Sequence, residues 1–522
     1  MIARPGVQVS RDGAAGGRSI IRGDVAMLAA AIVIFLAPTF IAPLTYPAFY
    51  EDESWIYLSS FEALRGNGLS LAALGEGQSY ALIFSALMWP FVAISPLSPE
   101  HTIRLIQAGV SIGVLVLAFV ISRHFAGSRA MLAPALLVMA PLTYATLRYG
   151  RVEGAAALLG LSGIALALSG AAFRAGLLSA LSVCVHPIMI WIGPACAVAI
   201  AQKRGWRGIG AYTAGGVIGL APQAFWMAFF SDVSTKYWST SSLAPGRNAL
   251  LSSLLDETQR FESYISGMSA LDIAAQGALL GGLAIFGVAA ARGWTRWTLI
   301  LIAAGPFLSL ALFSQGKYPY YFVTALPALA IAAAYGASRL PRVIGVSACV
   351  AALALALWQN LPTAWATREN APVTTVTATL ARELPQGAIV FSPLRYAGLV
   401  RDRPDLRFYS YHALYDARES TQMAACEAID DHILGLAATD PRETKNGQPP
   451  AADAAYLVMY GMTWESYLSQ VYHPDPPSFD CLLSGARTMR STHAICAPDN
   501  RGCHDLEILR RSLLPAEGRA GD

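Results

Sequence analysis

Three short stretches bring together residue types able to do chemistry. YPAFYEDESWIYLSS, residues 46–60, carries the consecutive acids Glu51, Asp52 and Glu53; LRYGRVEGAAALL carries Arg148, Arg151 and Glu153; SQGKYPYYFVTALPALAI carries Lys317, Tyr320 and Tyr321. A fourth, VCVHPIMIW, holds His186 beside a proline. A carboxylate at the mouth of a water-poor cavity can take a proton from a nucleophile. Lys, Arg or a divalent metal can stabilise a departing anion. Each stretch also has a structural reading. Acids after an apolar run solvate a loop or suit the positive end of a helix dipole. Arg148 and Arg151 could simply pair with Glu153, Lys and Tyr at a membrane interface are ordinary anchors, and a histidine beside proline at a helix end is commonly satisfied locally.

The elements that must position these groups belong to a membrane protein. Of 522 residues 55% are hydrophobic and only 14% charged, and the mean hydropathy is +0.45, well above a soluble domain of ordinary composition. The net charge of +3 is small, and no long basic stretch with interleaved aromatics appears, which argues against a nucleic-acid partner. Arg4, Arg11, Arg18 and Arg22 in tail 1–24 precede the apolar run 25–44. That run is longer than the core of a signal peptide and lacks a small-x-small cleavage site followed by a soluble chain, so it reads as an uncleaved first span with a cytoplasmic N-terminus.

Further apolar segments lie near 103–122, 130–147, 154–172, 175–202, 209–230, 274–291, 297–313, 321–338 and 343–360. Segment 80–95 is short and broken by Pro90. With 80–95 along the interface and 175–202 a hairpin bent at His186-Pro187, eleven spans result, and the basic connections fall on the cytoplasmic side. Reversing both choices keeps the count but puts Arg123 and Arg129 outside. Arg104, at the start of a span, reads as an interface anchor. The expected fold is mostly α: a membrane domain of about 11 helices over 25–360, with external loops near 46–102 and 231–273, and a C-terminal extracytoplasmic α/β domain over 361–522. In the first loop Trp55, Leu58, Phe61 and Leu64 at helical spacing predict an amphipathic interfacial helix.

In the C-terminal part VTATLARELP reads as a helix, GAIVFS and AAYLVMYG as buried strands, and TQMAACEAIDDHILGLA as a second helix. Four of the seven cysteines, Cys426, Cys481, Cys496 and Cys503, lie there. An even number in an external domain reads as two disulfides of open connectivity. Zinc, with His493 and His504 nearby, is the alternative, but CxxC spacing is absent.

In combination, these stretches resemble the C superfamily of glycosyltransferases, the polytopic enzymes that use polyprenyl-phosphate sugars, and within it the protein O-mannosyltransferase and aminoarabinose transferase branch. Asp52-Glu53 with Trp55 and Tyr57 is similar to the acidic pair of the first external loop. Arg148, Arg151 and Glu153 are similar to the second acidic site, and Lys317, Tyr320 and Tyr321 to a later basic and tyrosine signature. The three matches occur in the family's order and cover most of residues 1–360.

The resemblance implies an inverting transfer of sugar from a polyprenyl-phosphate donor to an external lipid, glycan or protein acceptor in cell-envelope assembly. Asp52 would be the base, with Glu53 and Glu153 positioning or metal-ligating acids. Lys317, Arg151, Tyr320 and Tyr321 would hold the donor phosphate, and His186 would touch substrate. A divalent metal on Asp52 and Glu153 is left open, and Glu51 is read as solvated. Loop 231–273, with Lys236, Tyr237, Trp238 and Arg247, could order over the donor or be idle. The composition, rich in Ala and Arg with few Lys, suits a high-GC bacterium and hence its cytoplasmic membrane. The rival readings are a transporter or flippase of lipid-linked glycans, which would need charges within its spans or an internal repeat, and a catalytically silent relative.

Overall fold

The computed structural model describes residues 14–41, 79–97, 99–147, 151–229, 250–266, 268–313, 319–367, 373–392, 396, 399, 402–410, 454–460, 490–496 and 503–513. Two compact units emerge, one built on Leu105–Pro362 and the other on Thr363–Asp522. Asp52, Glu53, Lys317, Cys426 and Cys481 lie outside the described residues, as do the interfacial helix expected after Asp52 and the second helix expected around Cys426.

The helical part runs through α1 (Ala14–Ile41), α2 (Ser79–Ile94), α3 (Pro99–Ala126), α4 (Leu132–Met139), α5 (Pro141–Thr146), α6 (Val152–Ser169), α7 (Ala172–Val185) and α8 (Ile192–Gly219). It continues through α9 (Ala221–Phe229), α10 (Leu250–Ile265), α11 (Ala270–Ala290), α12 (Gly293–Phe313), α13 (Leu326–Ser338) and α14 (Arg342–Thr367). Among the described residues five helices are long and apolar enough to cross a bilayer, within α3, α6, α11, α12 and α14. Three shorter apolar ones lie in α1, α7 and α13.

Several boundaries differ from the hydropathy reading, each for a local reason. The apolar run 130–147 is two helices, because Pro141 forces Ala140 out of the helical region to φ −74°, ψ 115°. The chain beyond Pro187 turns through a 3₁₀ segment, Pro187–Trp191, into α8, which absorbs the start of the expected span 209–230. Gly205 breaks α8 with φ 61°, ψ −157°, a conformation essentially reserved for glycine. Segment 80–95 is a continuous helix despite Pro90. Loop 231–273 contains α10, and Arg104 is only 5% exposed rather than a surface anchor.

Small residues let the helix backbones approach closely, as apolar packing without a hydrophobic drive between helices requires. Gly176 of α7 lies against the Tyr212 carbonyl of α8, leaving no room for a β-carbon. Ser182 of α7 donates to the Ala156 carbonyl of α6 at 2.9 Å. α13, which is nearly all buried, packs against α4 and α11.

In the other unit VTATLARE forms α15 (Val373–Glu383), and the strands are β1 (Ile389–Ser392), β2 (Arg407–Ser410), β3 (Ala454–Tyr460), β4 (Arg490–Cys496) and β5 (Cys503–Ser512). Their order is β2-β1-β3-β5-β4, with β2, β1 and β3 parallel and β5 antiparallel to both β3 and β4. Val376 and Leu380 of α15 join Val390, Val458, Leu506 and Ile508 in one core. Arg403 closes the C-terminal end of α15, donating through Nη1 to the carbonyls of Ala381 and Leu384 at 2.7 and 3.2 Å. Cys496 and Cys503 face each other in the β4–β5 register.

Candidate functional site

The site is built where α6 begins. Arg151 is the N-cap residue, extended at φ −106°, ψ 155°, and Glu153 lies in the first turn, where the helix dipole favours an acid. The two side chains fold onto each other. Arg151 Nε donates to Glu153 Oε1 and Oε2 at 3.2 and 3.1 Å, and Nη2 donates to Oε1 at 2.7 Å. Both are buried, at 4% and 1% exposure, so this ion pair is held out of water and its partners depend on each other.

His186 arrives from the α7 end. Its backbone is extended at φ −152°, ψ 115°, and its Nδ1 accepts from the Ile188 N–H at 3.4 Å, capping the 3₁₀ segment. That leaves the Nε2–H tautomer directed at Glu153, with Nε2 4.0 Å from Oε1. The imidazole meets the Tyr321 ring edge to face, 5.5 Å between centroids. Tyr321 sits on the 3₁₀ turn Pro319–Thr324, which packs against α5 and α6. Ser309 of α12 donates to the Ile188 carbonyl at 2.5 Å and anchors the same turn of chain that carries His186.

A second charged pair continues this row. Arg260 of α10 is fully buried, with its guanidinium carbon 5.6 Å from the Tyr321 ring centre and 5.9 Å from that of Phe322. Its Nε donates to Glu257 Oε2 at 2.7 Å. Phe322 in turn packs against the rings of Phe261, Phe307 and Tyr264, and Tyr264 hydrogen-bonds Gln276. A delocalised guanidinium suits such an aromatic wall better than an ammonium would.

Of the residues singled out in the sequence, the structure therefore brings together Arg151, Glu153, His186 and Tyr321. Asp52, Glu53 and Lys317 are outside the described residues, and of Tyr320 only the backbone, in the same 3₁₀ turn, is described. Sequence reasoning missed Arg260 and Glu257, which lie inside a stretch read as loop. The available signal was LLSSLLDETQRFESYI, whose acid and base stand three apart on one amphipathic helix. It also missed Gln107 of α3, which is 1% exposed.

No group of three metal-ligating side chains exists among the described residues. Both Glu153 oxygens are engaged by Arg151, so a cation would have to displace the guanidinium. Asp52, the other ligand expected of such an ion, lies outside the described residues.

No known family profile matches the chain, and no curated protein matches it. Solved structures do. ArnT from Cupriavidus metallidurans, in a crystal structure bound to undecaprenyl phosphate, superposes with a TM-score of 0.56 at 13% identity, over 95% of this chain and 98% of that one. The oligosaccharyltransferase of Archaeoglobus fulgidus in the apo form matches more loosely, with a TM-score of 0.46 at 12% identity over 84% of this chain and 69% of that one. The class defined is one of fold: a polytopic helical domain with a C-terminal sheet. Within it the chain shares its fold with the aminoarabinose transferase ArnT from end to end.

Proposed function

We propose that this protein is a membrane glycosyltransferase that moves a sugar from a polyprenyl-phosphate donor to an acceptor hydroxyl on the outer face of a bacterial cytoplasmic membrane. The observation that carries this reading is the buried row Arg151, Glu153, His186, Tyr321 and Arg260 in a chain whose fold is shared with ArnT along its whole length. Charged groups are retained in an apolar helical domain when they have a task there.

In this mechanism Asp52 takes the proton from the acceptor hydroxyl as its oxygen attacks the anomeric carbon. The carbon–oxygen bond to phosphate breaks and the anomeric centre inverts. Negative charge grows on the departing polyprenyl phosphate, and buried cations stabilise it most strongly there, where water does not screen them. Lys317 and Arg260 are assigned that role. Glu153 holds Arg151 and faces His186 Nε2, which positions both. Tyr321 links the two halves, touching His186 with its edge contact and Arg260 with its face. The acceptor is a lipid, a glycan or a protein. The sheet domain is extracytoplasmic in this reading, and we assign its disulfides as Cys496–Cys503, whose backbones are partners in the β4–β5 register, and Cys426–Cys481.

The test is Asp52→Asn in protein that still folds. Loss of transfer supports the enzyme against a flippase or a silent relative, and undiminished transfer removes Asp52 as the base.

A further inference from the structure

The side-chain amide of Gln107 is buried against Gly154 in the first turn of α6, the residue that follows Glu153 in sequence. A β-carbon on Gly154 would collide with its Nε2, so the glycine makes the room that the amide occupies. Among the described residues neither Nε2 nor Oε1 has a hydrogen-bond partner. Its placement is fixed: Ser111 Oγ donates to both the Gln107 carbonyl and the Leu147 carbonyl at 2.7 Å, tying α3 to the chain just after α5. At that end of α5 Thr143 and Thr146 are also buried, and their hydroxyls are likewise without partners. Three unsatisfied polar groups on two elements tied together are a steep cost in an apolar interior. A leucine or methionine would fit the same space without it.

Resting on the transferase reading above, we propose that Gln107 and Thr146, buried polar residues on elements that Ser111 ties together, recognise hydroxyls of the transferred sugar near the start of α6, which carries Glu153. The chemistry selects a hydroxyl over a phosphate. An amide offers donors and an acceptor, as a hydroxyl does, whereas a phosphate only accepts and would leave Oε1 unpaired. A site built to hydrogen-bond a hydroxyl discriminates sharply against ligands that lack it, because its own buried groups are then stranded.

The test compares wild type with Gln107→Met and Thr146→Val, reading thermal unfolding of the purified full-length chain in detergent and, by mass spectrometry, glycan product formed in cells. The proposal expects both variants to unfold at or above the wild-type temperature, because an orphan polar group has been removed, while transfer falls about ten-fold or more. A midpoint lowered by several degrees in Gln107→Met would show that the amide bonds within the fold and would overturn the proposal. So would unchanged transfer by both variants. Absence of product from the wild type itself is a different failure: it overturns the transferase reading and takes the sugar contact down with it.

Discussion

Removing the carboxylate of Glu153 should damage the protein in two separable ways. Glu153→Ala strands the Arg151 guanidinium at 4% exposure and deletes contacts of 3.2, 3.1 and 2.7 Å. Breaking one side of a buried ion pair costs about 3–5 kcal/mol, because the surviving charge keeps its desolvation penalty without its partner. Replacing both sides, as in Arg151→Met with Glu153→Ala, leaves no charge behind and should cost less than about 1.5 kcal/mol. Arg151→Met alone should cost about as much as Glu153→Ala alone, so the mutant cycle should show a coupling of about 4 kcal/mol or more. Unfolding of the four proteins in detergent, followed by tryptophan fluorescence, measures it. Transfer should be lost in the double variant even though its fold is restored, by about 100-fold or more, since the groups that position His186 and the donor are gone. A single Glu153→Ala that costs under 1 kcal/mol would refute the buried-pair argument. A double variant that transfers at the wild-type rate would reduce the pair to a structural one.

Other outcomes follow from the same structure. Arg260→Ala breaks a second buried pair, so it should lower the unfolding midpoint, and it should weaken binding of undecaprenyl phosphate about ten-fold, as read by the ligand's protection against thermal unfolding. Gly176→Ala should lower the unfolding midpoint sharply, because its new methyl meets the Tyr212 carbonyl where backbone cannot yield. Overpacking of this kind costs about 1–3 kcal/mol. In the sheet domain, hydrogen bonds from Arg403 hold the Asp405 carboxyl down to about 2 from 3.8. Asp405 also accepts from the Gly387 N–H at 3.1 Å. A depressed carboxyl contributes stability above its unfolded value and loses it as pH falls through the folded one. Circular dichroism between pH 4 and pH 2, an interval of about the width of that shift, should show an acid transition that Asp405→Asn largely removes. Peptide mapping without reduction should recover Cys496 joined to Cys503.

The apolar runs made the membrane helices legible because length and hydropathy alone decide whether a helix can span. Their breaks were less legible. Pro141 ends a helix and Pro90 does not, and the difference lies in packing that a single sequence does not display. Arg151, Glu153, His186 and Tyr321 were legible because each combines a chemical side chain with an unusual place, at a span end or beside proline. Arg260 and Gln107 escaped for opposite reasons. Arg260 stands in a polar stretch where an arginine draws no notice, and only its burial over Tyr321 distinguishes it. Gln107 stands in an apolar helix among residues of similar size, and what marks it is an amide with no partner among the described residues.

The central claim is tested most directly by mass spectrometry of glycolipids and envelope glycans from cells with the protein, without it, and with Asp52→Asn in its place. Glycosyl transfer predicts that one glycan or glycolipid loses a sugar in both altered strains while the matching polyprenyl-phosphate sugar accumulates. Identical glycans and donor lipids in all three strains would contradict it.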